Sequence, residues 1–397
     1  MIKNQNCDRT QDCSIREYLG EKHTSYPTFM IRAPSRIDLA GGTTDLKIFC
    51  EDEEVLQDPE RPHGSTLNAA INLEAMVDVF NVGGKGLYVQ SYTPHNKFCL
   101  YLQSLDDLKK MDGRDEEEEK EAKKNGEEYK KPKDLLLRAL IKQAGFVPQG
   151  FVIETYAKAP SGSGLGSSAA MGVTFLKSLY EVQGINVSLS QIAEQAAQAE
   201  WSLSIVGGKQ DQYAAAFGGL NLWEFRQEKT DPKPIDFNRL NYLRDKLILC
   251  YIHDEDRISG DMNEEVQNAF LSGDPVVRRS LFRLRDIAED MKNALKNEDY
   301  TRFVELLNEE TENRVKLHSS VAPPEVLNLI DVARNSGANA AKILGAGGKG
   351  SLLFYAENGE KENLVKAIEG FSELDCEILP FEFGQEGLTI RKRNILE

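Results

Sequence analysis

Three glycine-rich segments hold the residues most able to handle a phosphate group. In the middle one, Pro160-Ser161-Gly162-Ser163-Gly164-Leu165-Gly166-Ser167-Ser168, an extended run (FVIETYAKAP) enters a loop with three glycines, and the loop opens a stretch with helical spacing. Glycines let successive backbone N–H groups curl inward. The start of a helix adds unpaired N–H groups and a positive dipole end. Together these make an anion cradle sized for a phosphate chain. Ser167 and Ser168 place hydroxyls in the first turn, where one could ligate Mg²⁺. The loop lacks the Gly-Lys-Ser/Thr ending of a Walker A loop, and no acidic residue ends a following strand as a dinucleotide site requires. A plain flexible turn is the alternative.

The other two segments are Ala33-Pro34-Ser35-Arg36-Ile37-Asp38-Leu39-Ala40-Gly41-Gly42-Thr43-Thr44-Asp45 and Lys342-Ile343-Leu344-Gly345-Ala346-Gly347-Gly348-Lys349-Gly350. Glycines clustered like this allow a backbone to pass close to a ligand, or simply make a tight turn. Arg36 and Asp45 flank the first turn and read either as a buried pair or as a substrate clamp. Asp211, in Gly207-Gly208-Lys209-Gln210-Asp211-Gln212, could accept a proton from a phosphoryl acceptor. Asp is also a common helix N-cap, and on residue type alone the cap has the better claim. Glu200, at the end of an alanine-rich helical stretch, is either a magnesium ligand or solvent-exposed. His23, His63, His95, His253 and His318 show no metal-ligand spacing and read as structural or surface residues.

The elements that must carry these groups alternate along the chain. TFMIRAPSRIDLAGG reads as a strand running into a turn, and LEAMVDVFNVGGKGLYVQSY as two strands joined at Gly83-Gly84. DLLLRALIKQAGF, SSAAMGVTFLKSLYEVQG and SLSQIAEQAAQAEWSLS read as helices, the last capped by Ser188 or Ser190. LNLWEF and LILCYIH read as strands, with a polar, proline-bearing stretch between them that marks a domain boundary. AAKILGAGGKGSLLFYA reads as strand, glycine turn, strand. From 106 to 134 the chain is a dense mixed-charge run that reads as a solvated arm inserted in a loop.

Composition narrows the function classes. The chain has 397 residues, which suits two domains. Its net charge of −16 opposes nucleic acid and anionic membrane surfaces as partners. No apolar run is long enough to span a bilayer, and the polar N-terminus lacks a signal sequence, so the expected compartment is the cytoplasm. Six scattered cysteines without a Cys-x-x-Cys pair read as reduced thiols.

The three glycine segments, in this order, resemble the three motifs of the GHMP kinases, over about Met30 to Arg391. Within that family, GGKQDQYAAAFGGLNLWEF, LHSSVAPPEVLNLIDVARNSGANAAKILGAGG and FEFGQEGLTI look like the heptose kinase branch, with the fucokinase domain similar too. The resemblance implies an α+β, two-domain fold of mixed sheets with helices on one side and an active-site cleft between the domains. It implies residues 28–235 as the N-terminal domain, with the charged insertion at about 106–134, and 236–397 as the C-terminal domain, after a tail at 1–27. It implies ATP and Mg²⁺ as cofactors, and a small-molecule sugar or sugar phosphate, best matched by D-glycero-D-manno-heptose 7-phosphate, as acceptor. The family's enzymes include fucose and other hexose kinases and mevalonate kinases, and sugar sensors share the fold. A monomer or homodimer is expected.

By the same resemblance Asp211 is the catalytic carboxylate and Arg36 neutralises charge near the acceptor oxygen. Pro160, Ser161, Gly162, Ser163, Gly164, Leu165, Gly166, Ser167 and Ser168 wrap the ATP phosphates. Ser168 and Glu200 hold the metal. Gly42, Thr43, Asp45, Gly208, Lys209, Asp211, Gly345, Gly347 and Gly348 meet the substrate. Galactokinases carry Glu-His where this chain has Gly42-Thr43, which argues against galactose. Lys349 stands where the family has glycine. Arg32, Lys209, Lys342 and Lys349 are the candidate cations for a second phosphate.

Overall fold

The computed structural model describes residues 27–392, apart from 59, 94–95, 128, 130, 228, 255–258 and 358. The tail expected at 1–27, with His23, Cys7 and Cys13, therefore lies outside the described residues except for Pro27, as does His95. Cys50, Cys99, Cys250 and Cys376 are free thiols, as expected.

Strand β1 (Phe29–Ala40) pairs antiparallel with the long β2 (Gly64–Asn81). Pro34 cannot donate to a ladder, and the register slips between Ala33 and Ser35. Beyond the slip Arg36 lies opposite Ala70, with its side chain buried. The rest of the first sheet comprises β3 (Leu87–Thr93), β4 (Asn96–Leu102), β5 (Phe151–Ala157), β6 (Leu220–Phe225), β7 (Thr230–Pro234) and β12 (Thr389–Lys392). Its main path runs β12-β1-β2-β5-β3-β4, with β6 on the far half of β2 and β7 beside β6. β2 and β3 are joined through Gly83-Gly84, as read from the sequence, yet they do not pair with one another: β5 inserts between them, parallel to β3. Local turn chemistry is silent about a strand that arrives some sixty residues later.

Three helices cover one face of this sheet: α5 (Ser167–Gln183), α6 (Leu189–Trp201) and α7 (Gln210–Phe217). Ser188 and Gln191 form a reciprocal capping box at the start of α6. Val173, Leu176, Leu179, Ile192 and Ala196 interlock with Ile31, Val77, Val79, Val89 and Ile153 in one apolar core. Tyr213 of α7 packs 5.4 Å from the fully buried Trp223 of β6, with Phe217 on the same indole. Burying two such rings contributes about 1.5–3 kcal/mol each, which pins the helix that carries Asp211.

The charged run is not an arm. Helix α3 (Leu105–Asn125) occupies most of it, and Ser104 and Asp107 form a capping box at its start. Leu108 is buried, and Asp112 and Asp115 reach Arg138 of α4 (Leu135–Gln143) at 3.1 and 2.6 Å. Asp134 joins them at 2.9 Å, around a guanidinium that is 1% exposed. The expectation failed because it counted apolar residues alone, and this helix docks through an ion cluster.

The second sheet is antiparallel throughout, in the order β11 (Cys376–Leu379), β8 (Leu247–Ile252), β10 (Ser351–Ala356), β9 (Ala338–Ile343). One face packs on α11 (Pro324–Asn335) and α12 (Lys361–Glu369). The other merges with β1, β2 and β6, and with α9 (Pro275–Lys296) and α10 (Tyr300–Arg314), in a core shared by both sheets. α8 (Ser259–Leu271) lies beside α9 with the short α1 (Lys47–Cys50) and α2 (Glu53–Leu56) against the same cluster. Strand β12, from the end of the chain, returns to β1 of the first sheet.

Candidate active site

The Ser161–Gly166 bend turns on Gly162, Gly164 and Gly166, with φ of 73°, 73° and 74°. Only glycine adopts such angles without strain. Gly166 is the N-cap of α5, so the bend feeds a helix N-terminus. Ser167 Oγ donates to Ala159 O, and Tyr251 Oη of the second sheet to Ser161 O. Ser163 Oγ is buried and has no hydrogen-bond partner among the described residues.

Asp211 sits in the first turn of α7, past its N-cap Lys209, so the cap reading fails. A Cβ on Gly166 would lie 3.3 Å from Asp211 Cγ and 3.4 Å from Oδ2. The carboxylate therefore presses on the phosphate-type loop itself. Arg36 Nε donates to Asp211 Oδ1 at 2.8 Å, with Nη2 2.7 Å from the same oxygen, while Nη1 donates to Gly164 O at 2.5 Å. One buried guanidinium thus ties β1, the loop and α7 together. The pairing of Arg36 with Asp45, which residue types left open, does not occur. Burial pushes the Asp211 carboxyl above its ordinary range, against the pull of Arg36.

Asp45 accepts from the backbone N–H of Gln210 at 2.9 Å and from its side-chain amide at 3.1 Å. It holds the first turn of α7 from outside, next to Asp211. Burial raises its pKa to about 6. Gly208 must lack a Cβ because the Asp45 carboxylate fills that space. Thr43 is buried, with φ of 78°. Ser168 Oγ donates to Glu200 Oε1 at 3.3 Å, and Gln212 Nε2 to Glu200 Oε2 at 2.8 Å. Burial, with Asp211 nearby, pushes Glu200 up to about 7.

The third segment closes the site from the second sheet. A Cβ on Gly345 would lie 2.8 Å from Gly164 Cα, so the two glycine turns are in direct contact. Gly347 lies against Val321 and Gly348 against Met262.

Not every expected residue joins this cluster. Lys209, expected to meet substrate, forms a 2.6 Å ion pair with Glu194 and lies over the ring of Tyr213. Lys349 pairs with Glu325 at 3.5 Å. Lys342 is fully buried between Glu310 and Asp38. Arg32 lies inside the first sheet, between Met76 of β2 and Thr389 of β12. Gln210, Gln212, Glu310 and Arg314 went unnoticed. The glutamines bracket Asp211 in sequence, which was a usable signal; Glu310 and Arg314 sit in an ordinary amphipathic helix and gave none.

Among the described residues no group of three or more His, Cys, Asp or Glu could cage a metal by itself. Ser168 and Glu200 still fit Mg²⁺, which binds through one or two protein oxygens, phosphate oxygens and water. Two half-buried carboxylates, Asp211 and Glu200, each with a raised pKa, are what a divalent cation would relieve.

The N-terminal domain of the GHMP kinases matches residues 132–219, and the C-terminal domain of the same family matches 291–371. D-glycero-alpha-D-manno-heptose 7-phosphate kinase of Campylobacter jejuni is 28% identical over 91% of this chain and 98% of its own length. L-fucokinase/L-fucose-1-P guanylyltransferase of Bacteroides fragilis is 26% identical over 85% of this chain and 35% of its own. The crystal structure of a D-glycero-D-manno-heptose 1-phosphate kinase from Bacteroides thetaiotaomicron superposes with a TM-score of 0.65, at 26% identity over 92% of this chain and 99% of that one.

Proposed function

We propose that this chain, which belongs to the GHMP kinases through both its N-terminal and its C-terminal domain, phosphorylates the anomeric hydroxyl of a heptose 7-phosphate at the expense of ATP. That it is a sugar kinase of this family, a phosphotransferase to an alcohol group, is the premise. The heptose, the anomeric position and the roles of individual residues are the proposal.

One observation carries the residue roles. Asp211 has one carboxylate oxygen committed to Arg36, while the other lies beside Gly166 at the end of the glycine bend. A hydroxyl lying between that second oxygen and a phosphate in the loop is aligned for transfer. Asp211 Oδ2 accepts the proton as the hydroxyl oxygen bonds to the γ-phosphorus and the bond to the ADP oxygen breaks. The raised pKa of Asp211 makes it a better proton acceptor than an ordinary surface aspartate. Arg36 keeps the carboxylate aimed and adds positive charge where negative charge gathers. The curled amides of residues 162–168 receive the charge left on the nucleotide. Mg²⁺ held by Ser168 and Glu200 would supply further neutralisation of the phosphate oxygens. Asp45 and the turn before it orient the acceptor.

The test is a coupled ADP-release assay with heptose 7-phosphate, fucose and mevalonate as acceptors. The expected result is turnover with the heptose phosphate, and a fall of about 10²–10⁴-fold in kcat for Asp211→Ala with nucleotide binding retained. Full activity in that variant would reject the assigned role. Preference for fucose, which the likeness to the fucokinase favours, would overturn the heptose assignment. Stabilisation by sugar and ATP without ADP release would make the protein a sensor.

A further inference from the structure

We infer that Arg314 is a positioning residue for phosphoryl transfer: it locks the acceptor turn and the third glycine turn to one another and sets which way the Gly345–Ala346 peptide faces. The inference rests on the reading of the cleft above.

Arg314 ends α10, away from every glycine segment in sequence, and its side chain is fully buried. Nη2 donates to Gly345 O, and Nη1 stands 3.4 Å from Thr43 Oγ1. A Cβ on Gly42 would lie 2.9 Å from Nη1, so the backbone there passes directly over the guanidinium. One turn earlier on the same helix, Glu310 accepts from Gly41 N at 3.3 Å and from Lys342 Nζ at 3.1 Å. Lys342 stands 3.7 Å from Asp38. Two cations and two carboxyl groups thus lie buried together beneath the turns, and burial raises the Glu310 carboxyl against the pull of Lys342. Losing one cation would leave the buried carboxyl groups short of a partner.

Two consequences concern the reaction. The first is Thr43, a β-branched residue at φ 78°, a region such side chains avoid. Its turn is held by Thr44 Oγ1, which donates to Gly41 O and Ser65 O, and by Arg314. Asp45 follows within two residues. The second is peptide geometry. In a trans peptide the carbonyl and the following N–H point in opposite directions. With the Gly345 carbonyl drawn onto Arg314, the Ala346 N–H points the other way. That N–H has no hydrogen-bond partner among the described residues and belongs to a half-exposed residue beside Gly164. It is a donor held ready for an oxygen of the transferred phosphoryl group or of the acceptor. A planar fork reaches the carbonyl and the hydroxyl from two nitrogens in fixed geometry; a lysine offers one nitrogen on a flexible stem.

The experiment compares the full chain with Arg314→Lys and Arg314→Met. Arg314→Lys keeps the charge, so melting should change by only a few degrees and nucleotide Kd by less than about twofold. Its kcat should fall at least about tenfold. Arg314→Met should fall further and also lose stability. Amide hydrogen exchange gives a reading independent of turnover: in Arg314→Lys, segments 41–46 and 344–350 should exchange faster together, with 161–168 unchanged. Unchanged exchange in either segment overturns the inference, even if no sugar proves to be a substrate. So does wild-type kcat in Arg314→Lys. Failure of the functional reading has a separate signature, the absence of ADP release from the unmodified chain.

Discussion

Replacing Asp45 by asparagine should stabilise the protein while impairing it. Asp45 is 5% exposed, and burial lifts its carboxyl from the ordinary 3.8 to about 6. A carboxyl raised on folding makes the folded state bind its proton more tightly than the unfolded chain does. Stability therefore falls as pH rises through the window from 3.8 to about 6, and the loss is complete above it. At about 1.4 kcal/mol per pH unit the cost at neutral pH is about 3 kcal/mol. An amide carries no charge at any pH and removes that cost. The hydrogen bonds can be rebuilt, because Gln210 Oε1 is buried without a partner among the described residues and can accept from the new amide once the glutamine turns over. Urea unfolding of wild type and Asp45→Asn at pH 4 and pH 7.5 measures the effect. The variant should gain about 2–3 kcal/mol at pH 7.5 and less than about 1 kcal/mol at pH 4. Turnover should fall at least about tenfold, so stability and activity move in opposite directions, as they do where an active site stores unfavourable charge. Equal stability at pH 7.5, or a less stable variant, would refute burial of an ionised Asp45 as the cause.

Other perturbations test neighbouring parts of the site. Gly166→Ala places a methyl at φ 74° and 3.3 Å from Asp211 Cγ; single-turnover rates should fall about 100-fold while ADP still binds. Arg36→Lys cannot serve Asp211 and Gly164 together, and kcat should fall about 100-fold with the acceptor KM changed less. Arg138→Leu removes the cation shared by Asp112, Asp115 and Asp134, leaving Lys142 on Asp112; it should cost about 3 kcal/mol and should speed proteolysis within residues 105–125. Because that cluster is remote from Asp211, kcat of the surviving protein should stay within about twofold.

The parts of the site that lie within one glycine segment were legible in the sequence, and those that lie between segments were not. Three glycines before Ser167 imply a curled loop at a helix start whatever the rest of the chain does, because glycine reaches those φ values without strain. That Arg36 would face Asp211 and not Asp45 depends on a register slip at Pro34 and on where α7 packs, and neither leaves a local trace. Lys209 stands beside Asp211 in sequence, yet its side chain pairs with Glu194 on the preceding helix. The α+β class followed from the alternation of strands and helices. The insertion of β5 between β2 and β3 did not, since pairing is decided by which apolar faces meet. Helix α3 was misread because its anchoring residues are aspartates, the same residues that mark a solvated run elsewhere.

The pairing of β12 with β1 has a consequence for how the molecule is made. Phe29 to Arg32 gain their outer neighbours, Lys392 to Thr389, only after about 360 intervening residues have been synthesised. Until then the strand that carries Arg36 presents an open edge, the kind of surface on which chains join one another by mistake. A fragment ending at Ile235 would keep that edge for good, along with the half of the shared core that α9 and α10 should cover. The first sheet is therefore finished by the strand at Thr389–Lys392, and a chain cut after Ile235 should be a sticky half and not a smaller enzyme.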